Sequence, residues 1–181
     1  MSREQTTSIE LVDADTARQV STAVMIAALT AVLAQFSIQL PGGVPFSFQP
    51  FGIFFAGLLL GPLWGGFSIS LYVLVGLAGA PVYSNGGAGL GSVLGPTGGF
   101  LFGFLLAAVV IGAVAHRSLQ PTPVADLSAV STTVALLAGM VLVYLIGLPW
   151  LALVNEWTLT RAGSFMAPFA AGDLLKIGIA G

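Results

Sequence analysis

The chain has 181 residues, of which 56% are hydrophobic and 7% charged, with a formal net charge of −2 and no cysteine. A soluble domain of this length would need more charge to keep its surface hydrated, so the composition indicates an integral membrane protein. The lack of cysteine excludes disulfides and thiolate metal sites, and the lack of basic clusters argues against nucleic acid as a partner.

Six apolar stretches follow a short polar tail, so the sequence predicts an all-α protein with six transmembrane helices in one domain. The tail is residues 1–19 and the domain residues 20–181. The predicted segments are residues 20–40, 51–65, 66–80, 98–115, 129–154 and 165–181. A turn at Pro41-Gly42-Gly43 ends the first segment, and Gly61-Pro62 with Gly65-Gly66 marks a turn between the second and third. The last segment reaches only about 25 Å, short of the hydrocarbon core.

The arginines predict the orientation. An even number of crossings places both termini on one side, together with Arg3, Arg18 and Arg117, whereas Arg161 lies on the other side. Positive residues favour the cytoplasmic side, so both termini, including the tail, are predicted to be cytoplasmic and the protein to be a multi-pass protein of the cell membrane.

Ala23, Ala27 and Ala31 recur every four residues in the first segment. Such a strip of small side chains lets another helix approach closely. The spacing alone leaves two alternatives open, a surface for a partner protein or packing inside the chain.

Residues 81–99 contain seven glycines. This composition argues against a stable helix, and irregular backbone at membrane depth must line protein or a cavity. The segment is therefore predicted to be a structured loop between helices 3 and 4 that dips toward a cavity, the alternative being a flexible external connection.

The sequence offers little for catalysis, and we predict that the protein is not an enzyme. His116 is the only histidine, and its place beside Arg117 predicts an interfacial anchor. A zinc or two-metal site would have too few ligands, so no metal and no cofactor is expected.

Asp173 and Lys176 are the clearest functional signal. Lys176 is the only lysine, and the two residues share one face of an otherwise uncharged last segment. Each charge costs roughly 2.5–3.5 kcal/mol at the centre of a membrane helix, so such a pair normally faces a protein interior or a cavity. It predicts a binding site for a polar or anionic ligand, and a purely structural ion pair is the alternative.

Five motifs together resemble the BioY family, the biotin-binding S components of energy-coupling factor (ECF) transporters. In chain order they are Gly43-Val44-Pro45 with Gln49, Ala56-Gly57 with Leu60-Gly61, residues 79–83 (GAPVY), residues 95–100 (GPTGGF) and residues 172–176 (GDLLK). The resemblance covers roughly residues 20–181 and implies a six-helix protein that captures biotin from outside. It also implies association with a transmembrane T component and two ABC-type ATPases, and it favours the partner alternative for the alanine strip.

The resemblance also implies a ligand site. Asp173 and Lys176 match the family's acid and lysine of the last helix, Asn85 and Tyr83 fall in the ligand-contacting loop, and Gln49 belongs to the first motif. Asp173 is expected to accept from the ureido N–H groups of biotin, with Asn85 completing the hydrogen bonds of that ring. Lys176 either balances Asp173 or meets the carboxylate of biotin.

Two points remain open from the sequence. Ser47-Phe48 departs from the family pattern, in which a threonine and an aliphatic residue precede the glutamine, and this puts a site role for Ser47 in doubt. The alternative function is a stand-alone channel or secondary transporter for another small solute or vitamin, in which the Asp173–Lys176 pair would act as a relay.

Overall fold

The structure is a computed structural model that describes residues 14–39 and 44–181, and the described chain is mostly helical. The elements are α1 Ala14–Gln35, β1 Ser37–Gln39, β2 Pro45–Ser47, α2 Gln49–Leu77, α3 Gly89–Leu94, α4 Gly98–His116, α5 Ala129–Val154 and α6 Leu159–Ala180. Within the described residues α1, α4 and α5 are each long and apolar enough to cross a membrane, and α2 meets the same criterion over its whole length. The protein is therefore an all-helical membrane protein apart from one small antiparallel strand pair.

The helix α2 reverses direction at Gly61. This residue has φ 72° and ψ −174°, a conformation that glycine adopts readily, and Pro62 follows it. Gln49 and Tyr72 would lie roughly 35 Å apart in a continuous helix. Instead their side chains form a 2.6 Å hydrogen bond. Residues 49–60 and 62–77 are therefore two antiparallel limbs, and the predicted turn lies at Gly61 rather than between residues 65 and 66.

The two limbs touch at Gly65. A Cβ atom there would lie 2.5 Å from the carbonyl oxygen of Ala56, closer than real contacts allow. We expect Gly65→Ala to lower the free energy of unfolding by about 1–3 kcal/mol, because backbone cannot move aside cheaply. Thermal unfolding in detergent measures this effect. Gly178→Ala in α6 is the matched control: no atom lies within 4 Å of its added Cβ, so it should be neutral or slightly stabilising.

The helix α4 lies between α2 and α5. Ile111 of α4 is fully buried, and glycines on both neighbouring helices, Gly57 and Gly139, make room for its side chain. At the end of α4, His116 is buried and bonded, with Nε2 3.2 Å from the carbonyl oxygen of Gly57 and Nδ1 accepting from the Thr122 amide. The predicted interfacial anchor at His116 is therefore wrong, because the ring joins α2 to the loop that follows α4.

The helix α1 packs against α2 with the face that carries the alanine strip. Ala23 and Ala27 are 0% and 6% exposed, Ala31 is partly exposed, and Ser68 of the second limb donates to the Ala23 carbonyl oxygen at 2.8 Å. In this structure Ala23 and Ala27 thus follow the packing alternative that the sequence left open. That the strip contacts a partner protein stays a prediction.

Several element boundaries differ from the sequence prediction. The helix α1 begins at Ala14 and α6 at Leu159, so residues 14–19 are helical rather than tail, and α6 reaches about 33 Å rather than 25 Å. The β1–β2 pair, with Ile38 opposite Phe46, was not predicted. Residues 1–13 of the predicted tail and the predicted Pro41-Gly42-Gly43 turn lie outside the described residues.

Candidate ligand-binding site

A cavity of about 280 Å³ lies where β2, the segment before α4, and helices α4, α5 and α6 meet. One wall is apolar and includes three phenylalanines of the helices, Phe100, Phe104 and Phe169, with Val143 and Met166. The polar wall consists of Ser47, Gln49, Tyr83, Ser84, Ser92, Thr97, Tyr144, Asp173 and Lys176. An apolar chamber with a few converging polar groups is the usual form of a small-molecule site.

Asp173 and Lys176 form a buried ion pair in this wall. Their side chains lie one turn apart on α6, with 2.7 Å between Nζ and Oδ1, and the two residues are 9% and 4% exposed. Tyr144 of α5 donates to the other carboxylate oxygen, Oδ2, at 2.7 Å. Each oxygen of Asp173 therefore accepts one hydrogen bond from the protein and keeps capacity for another.

Lys176 also joins α6 to β2. Its Nζ donates to the carbonyl oxygen of Ser47 at 2.8 Å and lies 4.2 Å from the ring centre of Phe46. Gly172, one turn before Lys176, leaves the space that the Phe46 ring fills. The ammonium group is thus held by a carboxylate, a carbonyl and an aromatic face, which together offset the cost of burying its charge.

Gln49 organises a second polar cluster. Its Nε2 donates to Tyr72 Oη at 2.6 Å, and Tyr72 donates in turn to the carbonyl oxygen of Val82. Because Tyr72 uses its proton on that carbonyl, it must accept from Gln49, which fixes the orientation of the amide. The amide oxygen then accepts from Ser84 Oγ at 2.8 Å, with Ser47 Oγ at 3.4 Å. Both serines line the cavity, and the amide oxygen of Gln49 orients their hydroxyl groups.

The structure separates Tyr83 from Asn85. Tyr83 lines the cavity, but its hydroxyl donates to the Val73 carbonyl oxygen at 2.6 Å, and burial raises the pKa of its phenol, which keeps that donor protonated. Asn85 is exposed and does not line the cavity; its Oδ1 accepts from Ser37 Oγ at 2.8 Å. Ser84 takes the place in the cavity wall that the sequence assigned to Asn85.

The glycine-rich segment is more ordered than predicted. Residues 81–99 contain a 3₁₀ turn, Ser84–Gly86, and the short helix α3, so the expectation that its glycines exclude helix is wrong. Trp150 of α5 donates from its indole nitrogen to the Gly95 carbonyl oxygen at 2.9 Å, which ties the segment to the bundle. The segment contributes Ser92 and Thr97 to the cavity wall.

Sequence reasoning missed Tyr144 and Ser84, and doubted Ser47. Tyr144 is the only residue of α5 between Met140 and Trp150 whose side chain carries a polar hydrogen. An isolated hydroxyl inside a long apolar helix needs a hydrogen-bond partner. The lone polar group of Tyr144 could therefore have identified it as a site residue from the sequence. Ser47 holds Lys176 through its backbone carbonyl, a role that no side-chain pattern reveals.

A cavity lined by a buried ion pair, in a bundle of membrane-spanning helices, defines a membrane protein that binds a small solute with both apolar and polar parts. Residues 3–181 match the BioY family. The chain belongs to that family.

Relatives with assigned names support the same family. The biotin transporter BioY of Rhodobacter capsulatus is 36% identical over 154 residues, which cover 80% of this chain and 79% of the relative. The probable biotin transporter BioY of Lysinibacillus sphaericus is 41% identical over 154 residues, covering 84% and 74%. These relatives are named as transporters, and the family is one of transport proteins rather than enzymes.

A solved structure has the same fold. It is described as the S-component for biotin from an ECF-type ABC transporter, and it superposes with a TM-score of 0.80 at 24% identity, covering 93% of this chain and 92% of the other. At this identity the likeness establishes the fold of the chain.

Proposed function

We propose that the protein is the biotin-binding S component of an ECF transporter and mediates biotin uptake across the cell membrane. The observation that carries the proposal is the buried Asp173 carboxylate at the junction of an apolar and a polar cavity wall, in a chain of the BioY family. A membrane helix keeps such a charge where a ligand or a partner group interacts with it.

The cavity matches the chemistry of biotin. The ureido ring of biotin has two N–H donors, and each Asp173 oxygen keeps one acceptor position after its bond to Lys176 or Tyr144. The ureido carbonyl needs a donor, which the Ser47 hydroxyl supplies by turning from its long, 3.4 Å contact with the Gln49 amide oxygen. The thiophane ring is apolar and fits against Phe100 and Phe169.

Lys176 acts on Asp173 rather than on the carboxylate of biotin. Its ammonium already donates to Asp173 and to the Ser47 carbonyl and faces the Phe46 ring. We therefore expect Lys176→Met to weaken biotin and biotinamide, which lacks the carboxylate, by the same factor. Parallel titrations of both ligands check this. A clearly smaller loss for biotinamide would assign Lys176 to the carboxylate instead.

Tyr144→Phe should weaken biotin binding by roughly tenfold to a hundredfold while the protein stays folded. The substitution removes only the hydroxyl that donates to Asp173 Oδ2, and a hydrogen bond to a charged group contributes about 1.5–3 kcal/mol. Titration of biotin against both proteins measures the change. Tyr83→Phe is the control, because its hydroxyl bonds to the Val73 carbonyl away from the ligand. An unchanged affinity of Tyr144→Phe for biotin would exclude the Tyr144 hydroxyl from the binding site.

The six-crossing arrangement is part of the proposal: α1, the two limbs of α2, α4, α5 and α6. The Gly61 reversal lies beside Pro121 in the loop after α4, whereas Gln49 lies beside Val82 at the opposite end of the limbs. The cavity is thus at the end remote from Arg117. If Arg117 is cytoplasmic, as the arginine distribution predicts, the cavity opens outward and receives biotin from outside.

Uptake needs an energy source, and the chain carries no nucleotide-binding motif of its own. We propose that a T component and two ABC-type ATPases provide it, as the fold shared with an S component supports. Co-purification from cells that express the whole transporter tests this association, with the T component and the ATPase as expected companions.

Titration calorimetry in detergent tests the ligand. The purified protein should bind biotin with roughly nanomolar affinity in the absence of nucleotide. Thiamine and riboflavin serve as controls with a different pattern of polar groups. Binding of one of these vitamins and not of biotin would overturn the assignment of the ligand while leaving the fold intact.

A further inference from the structure

A second, open groove of about 510 Å³ runs between α5 and α6. Met140, Tyr144 and Asp173 line both this groove and the ligand cavity, so these three residues form the partition between them. The ligand proposal uses only the cavity face of the partition. The other face is directed to the outside of the helix pair.

We propose that this groove binds one acyl chain of a membrane phospholipid. Among its twelve lining residues, Tyr144 and Asp173 alone carry a side-chain nitrogen or oxygen, and these two are bonded to each other. The remaining surface is aliphatic, with Leu137, Val141 and Leu145 from α5 facing Leu174 and Ile177 from α6. An occupant at membrane depth must therefore be apolar along its length.

The length of the groove fits one chain of one leaflet. Along α5 the lining residues extend from Leu137 to Pro149, which is about 18 Å of helix. Half of a hydrocarbon core of about 30 Å is nearly the same length. A groove also contacts a chain on two sides, whereas a flat helix face contacts it on one. Since close packing rather than burial drives association inside a membrane, the groove retains a chain that a flat face would release.

An acyl chain in this position would cover the outer edge of the partition. It would keep water from the Tyr144 hydroxyl and the Asp173 carboxylate, and a drier surrounding strengthens the hydrogen bond between them. The inference goes beyond biotin binding, because it assigns a second ligand class to a second site. Its test does not use biotin.

Native mass spectrometry measures lipid binding to the groove. The detergent-purified protein is titrated with a phosphatidylglycerol of defined chain length. The wild type should show one saturable lipid. Val141→Trp fills the groove from α5 and should weaken that binding about tenfold, which is about 1.4 kcal/mol. Val134→Trp is the matched control on the same helix: the two valines are 51% and 57% exposed, yet only Val141 lines the groove.

A second pair of variants tests the wall that α6 forms. It keeps the proposal testable if Val141→Trp does not fold. Leu174→Trp should weaken the lipid in the same way, whereas its neighbour Leu175→Trp, outside the groove, should not. All four variants must elute as monodisperse protein. Equal lipid binding in the groove and control variants overturns the proposal. A doubled protein mass that disappears in Val141→Trp also overturns it, because the groove would then hold a second copy of the chain.

Discussion

Asp173→Asn and Lys176→Met are each expected to weaken biotin binding by about 2–5 kcal/mol, the usual cost of leaving one member of a buried charge pair without its partner. Both groups are almost fully buried and lie 2.7 Å apart. Removing Lys176 leaves the carboxylate with Tyr144 alone, and removing the charge of Asp173 leaves the ammonium with the Ser47 carbonyl and the Phe46 ring but no counter-charge. Titration calorimetry measures the loss, which corresponds to roughly 30-fold to several thousandfold in Kd.

The double variant Asp173→Asn with Lys176→Met distinguishes a ligand site from a structural ion pair. It removes both charges together, and replacing a buried pair by uncharged groups is often neutral for stability. We therefore expect the double variant to regain the thermal stability that each single variant loses, but to regain no affinity for biotin. Recovery of wild-type affinity in the double variant would reduce the pair to a structural role.

The sequence predicted the bounds of α4 and α5 to within one residue, because polar or turn-forming residues flank their apolar runs, whereas the bounds of α1 were missed by five and six residues. The helix α5 begins after Ser128, whose side chain accepts from the Ser131 amide, and ends before Asn155, as predicted. The start of α6 was placed six residues late. Thr158 caps it by accepting from the Arg161 amide, and the polar first turn conceals a helix whose apolar part begins later.

The glycine-rich segment and the strand pair could not be predicted because tertiary contacts decide them. Trp150 supports the end of α3 through the Gly95 carbonyl, and Lys176 fixes β2 through the Ser47 carbonyl. Both contacts use backbone acceptors on residues far away in the chain. Sequence patterns record side chains, so a site built partly from carbonyl groups stays hidden until the fold brings them together.

The acid and lysine of the candidate site were predictable because a charged pair in an apolar helix has few alternative roles. Gln49 and Tyr83 were also assigned to the site, and both line the cavity. Asn85 was not separable from Ser84 on sequence alone. The backbone of Asn85 has φ 57°, and its side chain bonds to Ser37 outside the cavity wall that Ser84 helps to form.

Ala28→Trp is expected to abolish energised biotin uptake and leave biotin binding intact, whereas Ala27→Trp should impair folding and lose both. The two alanines are neighbours on α1, but Ala27 is buried against α2 and Ala28 is exposed. A tryptophan at position 27 would have to displace the second helix, which overpacks a close contact. At position 28 it leaves the chain's own core untouched.

The expected loss of uptake in Ala28→Trp follows from how helices associate in lipid. Lipid tails already solvate apolar surfaces, so a T component can bind α1 only through close packing, and a large side chain holds the two backbones apart. Labelled-biotin binding, ATP-dependent uptake and co-purification of the T component are measured side by side for both variants. Intact binding with lost uptake in Ala27→Trp would return the partner surface to the strip of Ala23, Ala27 and Ala31. Normal uptake in Ala28→Trp would show that the T component does not pack against this part of α1.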